Sequence, residues 1–236
     1  MIAQSNGKIF LAEQRGHLEL DWFRSYCTFN FGQYYSEHKT PFGALYVLND
    51  ETIAGRRTIR MTVEEDSDIL LVPVVGSIDY ADYLGNMGSV MAGQVQWIQG
   101  QKGMQFELGN PHDEEVRLIQ IWMKRAPVGP AAPAAPEIHS FDLLSKKNRL
   151  IDVFASCRDR RPDMLIGQFD GREDLAYQVL KEDRGIFVFV IEGVFEVQYR
   201  LMQAGDGLAL WGIDELQLEA LSHDAILLIL EVPTLL

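Results

Sequence analysis

The sequence predicts an all-β protein built from two antiparallel barrels in tandem. Three observations carry that expectation. Short runs rich in Val, Ile, Phe and Tyr recur between Gly, Asn and Asp turns. A Pro/Ala-rich connection lies near the middle of the 236 residues. The punctuation of the first half then returns in the second.

In the first half the strand-like runs are Gly43–Leu48, Ile69–Val75, Ile78–Tyr83, Val95–Gln99, Met104–Leu108 and Val116–Met123. RAPVGPAAPAAPE (Arg125–Glu137) follows, with few side chains that can enter a core, and reads as a stiff, extended linker. These features predict a first domain over residues 1–125, a linker over 126–137 and a second domain over 138–236. The second half offers Leu165–Phe169, Ile186–Ile191, Phe195–Tyr199, Leu208–Trp211, Leu216–Ala220 and Ala225–Val232. Helical pattern is scarce, limited to the segment after His139 and to Glu173–Lys181.

The internal echo is specific. VVGSIDY and MAGQVQW in the first half match VIEGVFEVQY and QAGDGLALW in the second. In each, an apolar strand reaches a Gly (Gly76, Gly193), and an Ala-Gly pair (Ala92-Gly93, Ala204-Gly205) opens a later strand. Glycine there permits the backbone bends of a small barrel. Each half closes on a long apolar strand, VRLIQIWM or AILLILEV. Duplication of one barrel accounts for all of this.

Composition narrows the function. The chain is 47% hydrophobic and 23% charged, with a formal net charge of −13, and its pI is about 4.8. Such a balance repels phosphate backbones, and the basic groups at Arg56-Arg57-Arg60, Lys146-Lys147-Arg149 and Arg158-Arg160-Arg161 are short and lie among acidic neighbours. Direct nucleic-acid binding is therefore not expected. Neither is a membrane role, because MIAQSNGKIFLAEQRG has no apolar run of the needed length. Two cysteines, Cys27 and Cys157, make no disulfide framework or metal knuckle, so a reducing, cytoplasmic setting is the default expectation. No serine-hydrolase elbow, papain-like cysteine motif or phosphate-cradling glycine loop is present.

The first half resembles the pirin family, on the words RGHLELDWFRSYCTFNFGQYY (Arg15–Tyr35), GALYVLNDETIAGR (Gly43–Arg56), ILLVPVVGSIDYADYLGNMGSVMAGQVQWIQGQKGM (Ile69–Met104) and LIQIWM (Leu118–Met123), with a D-x-x-G-N turn at Asp82–Asn86. That resemblance implies a bicupin: two cupin (double-stranded β-helix, or jelly-roll) barrels packed face to face, with the chain's extreme ends crossing over. It also implies one iron or similar divalent metal in the first barrel, held by H-x-H before the strand Ile69–Val75 and by H-x-E before Asn110. Counting back from Gly76 and Asn110, those places fall on Thr62 and Glu64, and on Phe106 and Leu108. A slip of one residue brings in Glu65 or Glu107 but no histidine.

The stretch TVEEDSDILLVPVVG, which opens on Thr62, thus changes meaning. Its four carboxylates (Glu64, Glu65, Asp66, Asp68) lack the spacing of a calcium loop and read as a solvated turn before a buried strand. An acid–base pair of Glu64 with Glu107 or Asp68 remains open at this level. The five histidines, His17, His38, His112, His139 and His223, are far apart in sequence. The expectation is a metal-free first cupin with no cofactor and no catalytic residue, whose pocket candidates are Thr62, Glu64, Phe106 and Leu108. Apolar Phe106 and Leu108 would shrink the cavity or fill it. The functional expectation is a non-enzymatic regulatory or binding module, acting on a protein partner or an apolar small molecule. The alternative is a quercetin 2,3-dioxygenase-type cupin oxidoreductase, which needs a redox metal such as iron.

Overall fold

A computed structural model describes residues 5–125, 134–157, 162–179 and 183–234. Residues 126–133 of the expected linker and the basic group at 158–161 lie outside the described residues. So does Lys181. Among the described residues the chain is all β apart from one 3-10 turn, Ala12–Gln14.

The strands begin with β1 (Gly7–Phe10), β2 (Gly16–Leu20), β3 (Phe23–Cys27), β4 (Leu45–Ile53), β5 (Thr58–Thr62), β6 (Ser67–Val75) and β7 (Ser77–Asp82). They continue with β8 (Met87–Met91), β9 (Gln94–Gly100), β10 (Gln105–Gly109), β11 (Val116–Lys124) and β12 (Glu137–Ser140). The second half adds β13 (Ile151–Asp152), β14 (Asp163–Phe169), β15 (Asp174–Gln178), β16 (Arg184–Glu192) and β17 (Val194–Val197). It ends with β18 (Arg200–Gln203), β19 (Gly207–Leu210), β20 (Glu215–Ala220) and β21 (Ala225–Pro233). Each of the twelve expected runs overlaps one of these strands, though Gly43–Leu48 stops short of the end of β4.

Two compact units result, one of residues 16–140 and one of residues 1–15 with 141–236. Each is a cupin barrel of two sheets. The first pairs the order β12-β9-β6-β11-β4-β3-β2 with β5-β10-β7-β8, and the second pairs β1-β19-β16-β21-β14-β13 with β15-β20-β17-β18. All the pairings are antiparallel. The two orders superpose strand for strand when each number in β4–β11 is raised by ten.

The unit boundaries differ from the sequence expectation of 1–125 and 138–236. Residues 1–15 belong to the second unit because β1 adds to β19. Phe10 is buried with its ring centroid 5.8 Å from that of Phe187, and the Ala12 amide donates to Asp206 Oδ1 at 2.7 Å. Conversely β12 adds to β9 and joins the first unit. Each barrel therefore has the equivalent edge covered by the strand that precedes the other barrel in sequence. A free edge of unpaired amides is a liability, and this exchange blunts both. The crossing over implied for the chain's extreme ends holds for the first end only, since β21 stays in the middle of its own sheet.

The echo is conformational as well as textual. Gly76 and Gly193 have φ of +80° and +79°, and Gly93 and Gly205 have φ of +84° and +87°. At Gly193 the requirement is also steric, because a Cβ would lie 2.5 Å from Ser222 Oγ and 2.7 Å from the Ala225 Cβ. The expected Asp82–Asn86 turn closes on its own side chain: Asp82 Oδ1 accepts from the Leu84 and Asn86 amides at 2.9 and 3.0 Å. Tyr80 and Asn86 donate to Oδ2.

The two helical expectations fail. Glu173–Lys181 contains β15, paired along its length with β20, because its alternating Leu175 and Tyr177 pack on the barrel core. The segment after His139 makes successive turns and no helix. No described segment is a helix long and apolar enough to cross a membrane.

Gly193→Ala is expected to destabilise the chain by about 2 kcal/mol or more, from left-handed strain plus the two close contacts. A urea unfolding curve with an unchanged midpoint would contradict this account.

Candidate functional site

Because side chains alternate along a strand and residues directly opposite share a face, the pairing of β5 with β10 decides where the four candidate residues point. Phe106 stands opposite Met61 and Leu108 opposite Ile59. Ile59, Phe106 and Leu108 are buried in the first barrel's core, with Met61 packed on it. Phe106 is wedged between Tyr80 and Trp122, at centroid distances of 5.7 and 6.0 Å.

Thr62 and Glu64 are exposed, and Val63 between them is buried. Backbone bonds hold Val63 in place, its amide donating to Met104 O at 2.9 Å and its carbonyl accepting from the Gly103 amide at 2.7 Å. Thr62 and Glu64 therefore do not share a pocket with Phe106 and Leu108. The inward residues on this side are Ile59, Met61 and Val63.

The acidic run is taken apart in the same way. Glu65 pairs with Lys124 at 2.8 Å, and Asp66 Oδ1 accepts from the Lys102 amide at 2.8 Å. Asp68 accepts from Trp97 Nε1 at 2.9 Å, while burial pushes its carboxyl above the usual carboxylate range. Glu107 lies on the outer face and accepts from Arg60 Nε at 3.0 Å. Asp68 and Glu107 are engaged by Trp97 and Arg60 and Glu64 is exposed, so none of these contacts joins two of the carboxylates.

The prominent concavity of the first unit is elsewhere. A cleft of about 740 Å³ opens between β2, β3, β5 and the turn at Phe31–Tyr34, with Trp22, Phe23, Phe31, Tyr34, Ile59 and Met61 among its walls. Gly16 makes room for this arrangement, because a Cβ there would collide with the Tyr34 ring. Ser25, Cys27 and Glu51 also border it.

Glu51 is the residue that sequence reasoning missed. On β4, Val47 and Ile53 face the core, and the two-residue period puts Asn49 and Glu51 on that same inner face. Glu51 is 0% exposed. Its Oε1 accepts from Ser25 Oγ at 3.1 Å and from Asn49 Nδ2 at 3.3 Å, and its Oε2 accepts from Gln120 Nε2. Gln120 Oε1 in turn accepts from Trp122 Nε1 at 3.2 Å. Burial pushes the Glu51 carboxyl up to about 7, against the opposing pull of these hydrogen bonds, with the neighbouring Asp50 charge adding to the rise. The signal in the sequence was LYVLNDETI, where Asn, Asp and Glu continue a strand with Ile53 beyond them. The expected run stopped at Leu48, one residue before the polar stretch.

Comparison with known proteins adds the following. The Pirin family model matches residues 10–123, and the model for the quercetinase C-terminal cupin domain matches residues 161–232. The chain is 26% identical over 230 residues to an Escherichia coli (strain K12) protein named quercetin 2,3-dioxygenase, covering 92% of this chain and 95% of that one. It is 28% identical over 202 residues to a Caulobacter vibrioides pirin-like protein, covering 83% and 86%. Among solved structures it is similar to Escherichia coli YhhW, with a TM-score of 0.83, 26% identity and coverage of 98% and 100%. It is also similar to bacterial pirin YhhW in complex with nickel(II), with a TM-score of 0.81, 26% identity and coverage of 97% and 99%.

Glu51 holds its proton more tightly in the folded chain than at its ordinary value of 4.5. The stability it contributes is complete below about pH 4.5 and is lost as pH rises through about 7, a change of about 3 kcal/mol. Glu51→Gln is expected to remove that slope. The difference in unfolding free energy between wild type and variant should fall across this window and level off above it. A flat difference would contradict the assignment.

Proposed function

We propose that the chain, a pirin-like bicupin by the two family models that match residues 10–123 and 161–232, is a binding module without a resident metal, its first barrel holding an apolar small molecule in the cleft beside Glu51. One observation carries this reading. Where the family resemblance puts metal ligands, the inward side chains are Ile59, Met61, Val63, Phe106 and Leu108. First-row metals are held by imidazole, thiolate or carboxylate, and none of these five supplies one. The residues present do not fit the family's metal.

The histidines are engaged separately. His17 stacks on Tyr26, His38 lies beside Glu37, and His112 Nε2 is 2.7 Å from Ser77 Oγ. His139 lies beside Glu137, and His223 Nδ1 accepts from the Gly171 amide.

A second reading, a quercetin 2,3-dioxygenase-type oxidoreductase, is favoured by the names of the relatives and by the nickel-bound homologue. It requires a redox metal, and the inward residues at the family's ligand positions supply no donor set for one. A regulatory role through a protein partner is compatible with the first reading, as is the cytoplasmic setting that two free cysteines suggest.

Elemental analysis of the dialysed protein should find no stoichiometric iron, nickel, copper or zinc. Quercetin should quench tryptophan fluorescence through Trp22 and remain unconsumed when iron or nickel is added. One tightly held metal per chain, or metal-dependent quercetin turnover, would replace the binding reading with the enzymatic one.

A further inference from the structure

The inner wall behind Ser25 and Glu51, which border the cleft, holds buried acceptors that lack a donor among the described residues. All three groups that donate to Glu51, from Ser25, Asn49 and Gln120, are neutral. No Lys, Arg or His pairs with this carboxyl among the described residues. Arg117 on β11 is committed to the opposite face, where Nε and one Nη each donate to Asp50 at 2.9 Å.

A second acceptor stands beside the first. Asn49 is 1% exposed, and its Oδ1 accepts no hydrogen bond among the described residues. With the carboxyl ionised, Asn49 Nδ2 donates to Glu51 and Asn49 Oδ1 is left without a donor. A third is Gln96 Oε1, also buried and unpaired among the described residues. Asn49, Gln120, Leu71 and Gln96 stand opposite one another across β4, β11, β6 and β9, so they share the inner face. Ionising a buried carboxyl that has no counter-charge and lies next to buried carbonyls without donors is costly, so Glu51 holds its proton until a cation replaces it. The missing component is a cation with several N–H groups.

The rest of the cleft suits the apolar part of such a molecule. Trp22, Phe31 and Tyr34 present aromatic surface, which attracts cations as well as flat rings. The other titratable groups bordering the cleft are His17 on β2, Cys27 on β3, Tyr34 in its turn and Arg60 on β5, while β11 contributes neutral Gln120 behind Glu51. Arg60 is held on the outer face by Glu107. The chain's net charge of −13 further favours capture of a cation.

We propose that the cleft is a site for an aromatic amine, its ring held by Trp22, Phe31 and Tyr34 and its ammonium group drawn to the Ser25–Asn49–Glu51 end, where binding leaves Glu51 ionised. This rests on the reading of the cleft as a small-molecule site and names the ligand class. Uptake is coupled to a proton: the carboxyl that burial keeps protonated in the empty protein gives its proton up when the cation arrives. Affinity for amines therefore rises with pH through the range in which Glu51 titrates.

Calorimetric titration of the full chain with three probes sharing one ring tests this: tryptamine (cationic), tryptophol (neutral) and indole-3-acetate (anionic). At about pH 8 tryptamine should bind about tenfold tighter than tryptophol, with the anion weakest. Near pH 5.5 the tryptamine preference should shrink towards unity. Near pH 6.5, titrations in buffers of different ionisation enthalpy should report proton release. Glu51→Gln should bring tryptamine and tryptophol within about twofold of each other at pH 8 while tryptophol still binds. Should that variant not fold, the wild-type pH dependence and proton release decide the matter. Tryptophol or indole-3-acetate binding as tightly as tryptamine at pH 8 would overturn the amine assignment and leave the apolar cleft intact. Failure of all three to bind would overturn both.

Discussion

The two-residue alternation of strands around a closed interior governs what this molecule can do. Every inward position in a small barrel must be apolar, or must find its partners inside the barrel. Around most of the first barrel the inward side chains are Val, Ile, Leu, Phe and Trp, and they exclude water. On the wall formed by β3, β4 and β11 they are Ser25, Asn49, Glu51 and Gln120, and these satisfy much of one another's hydrogen-bonding capacity. The same alternation puts Thr62 and Glu64 in solvent while Val63 enters the core.

A carboxyl held this way is both a tie and a liability. Its hydrogen bonds link Ser25 on β3 and Gln120 on β11 to β4, each contributing about 1 kcal/mol while the carboxyl is neutral and more once it ionises. Desolvation works against the charged form, which is why the proton stays on to about 7. The second barrel meets a similar problem differently. Glu231 is 1% exposed and accepts from the Tyr177 hydroxyl at 2.7 Å. Duplication preserved the scaffold and its glycine bends, and each barrel filled its interior in its own way.

The duplicated plan was legible because it rests on local chemistry. A Gly at a forced bend and a β-branched run between turns leave marks that need no knowledge of the rest of the chain, and Gly76 and Gly193 share one φ to within a degree. The exchange of β1 and β12 between units was not legible in that way. GKIF and EIHS are short, and nothing in four residues states which sheet edge they will cover. Glu173–Lys181 misled for the converse reason, since its Glu, Leu, Ala and Lys suit a helix and only pairing with β20 makes a strand of it.

The candidate site divides along the same line. By itself the sequence determined the all-β class, the repeated barrel and the apolar character of Phe106 and Leu108, because composition and period express those directly. Only the tertiary structure decided that Glu64 faces water and that Glu51 does not. Facing is a property of register, and register is set by the strands on either side. A carboxyl becomes a site when those neighbours remove its water, and β3 and β11 do this to Glu51 from positions far away in the chain.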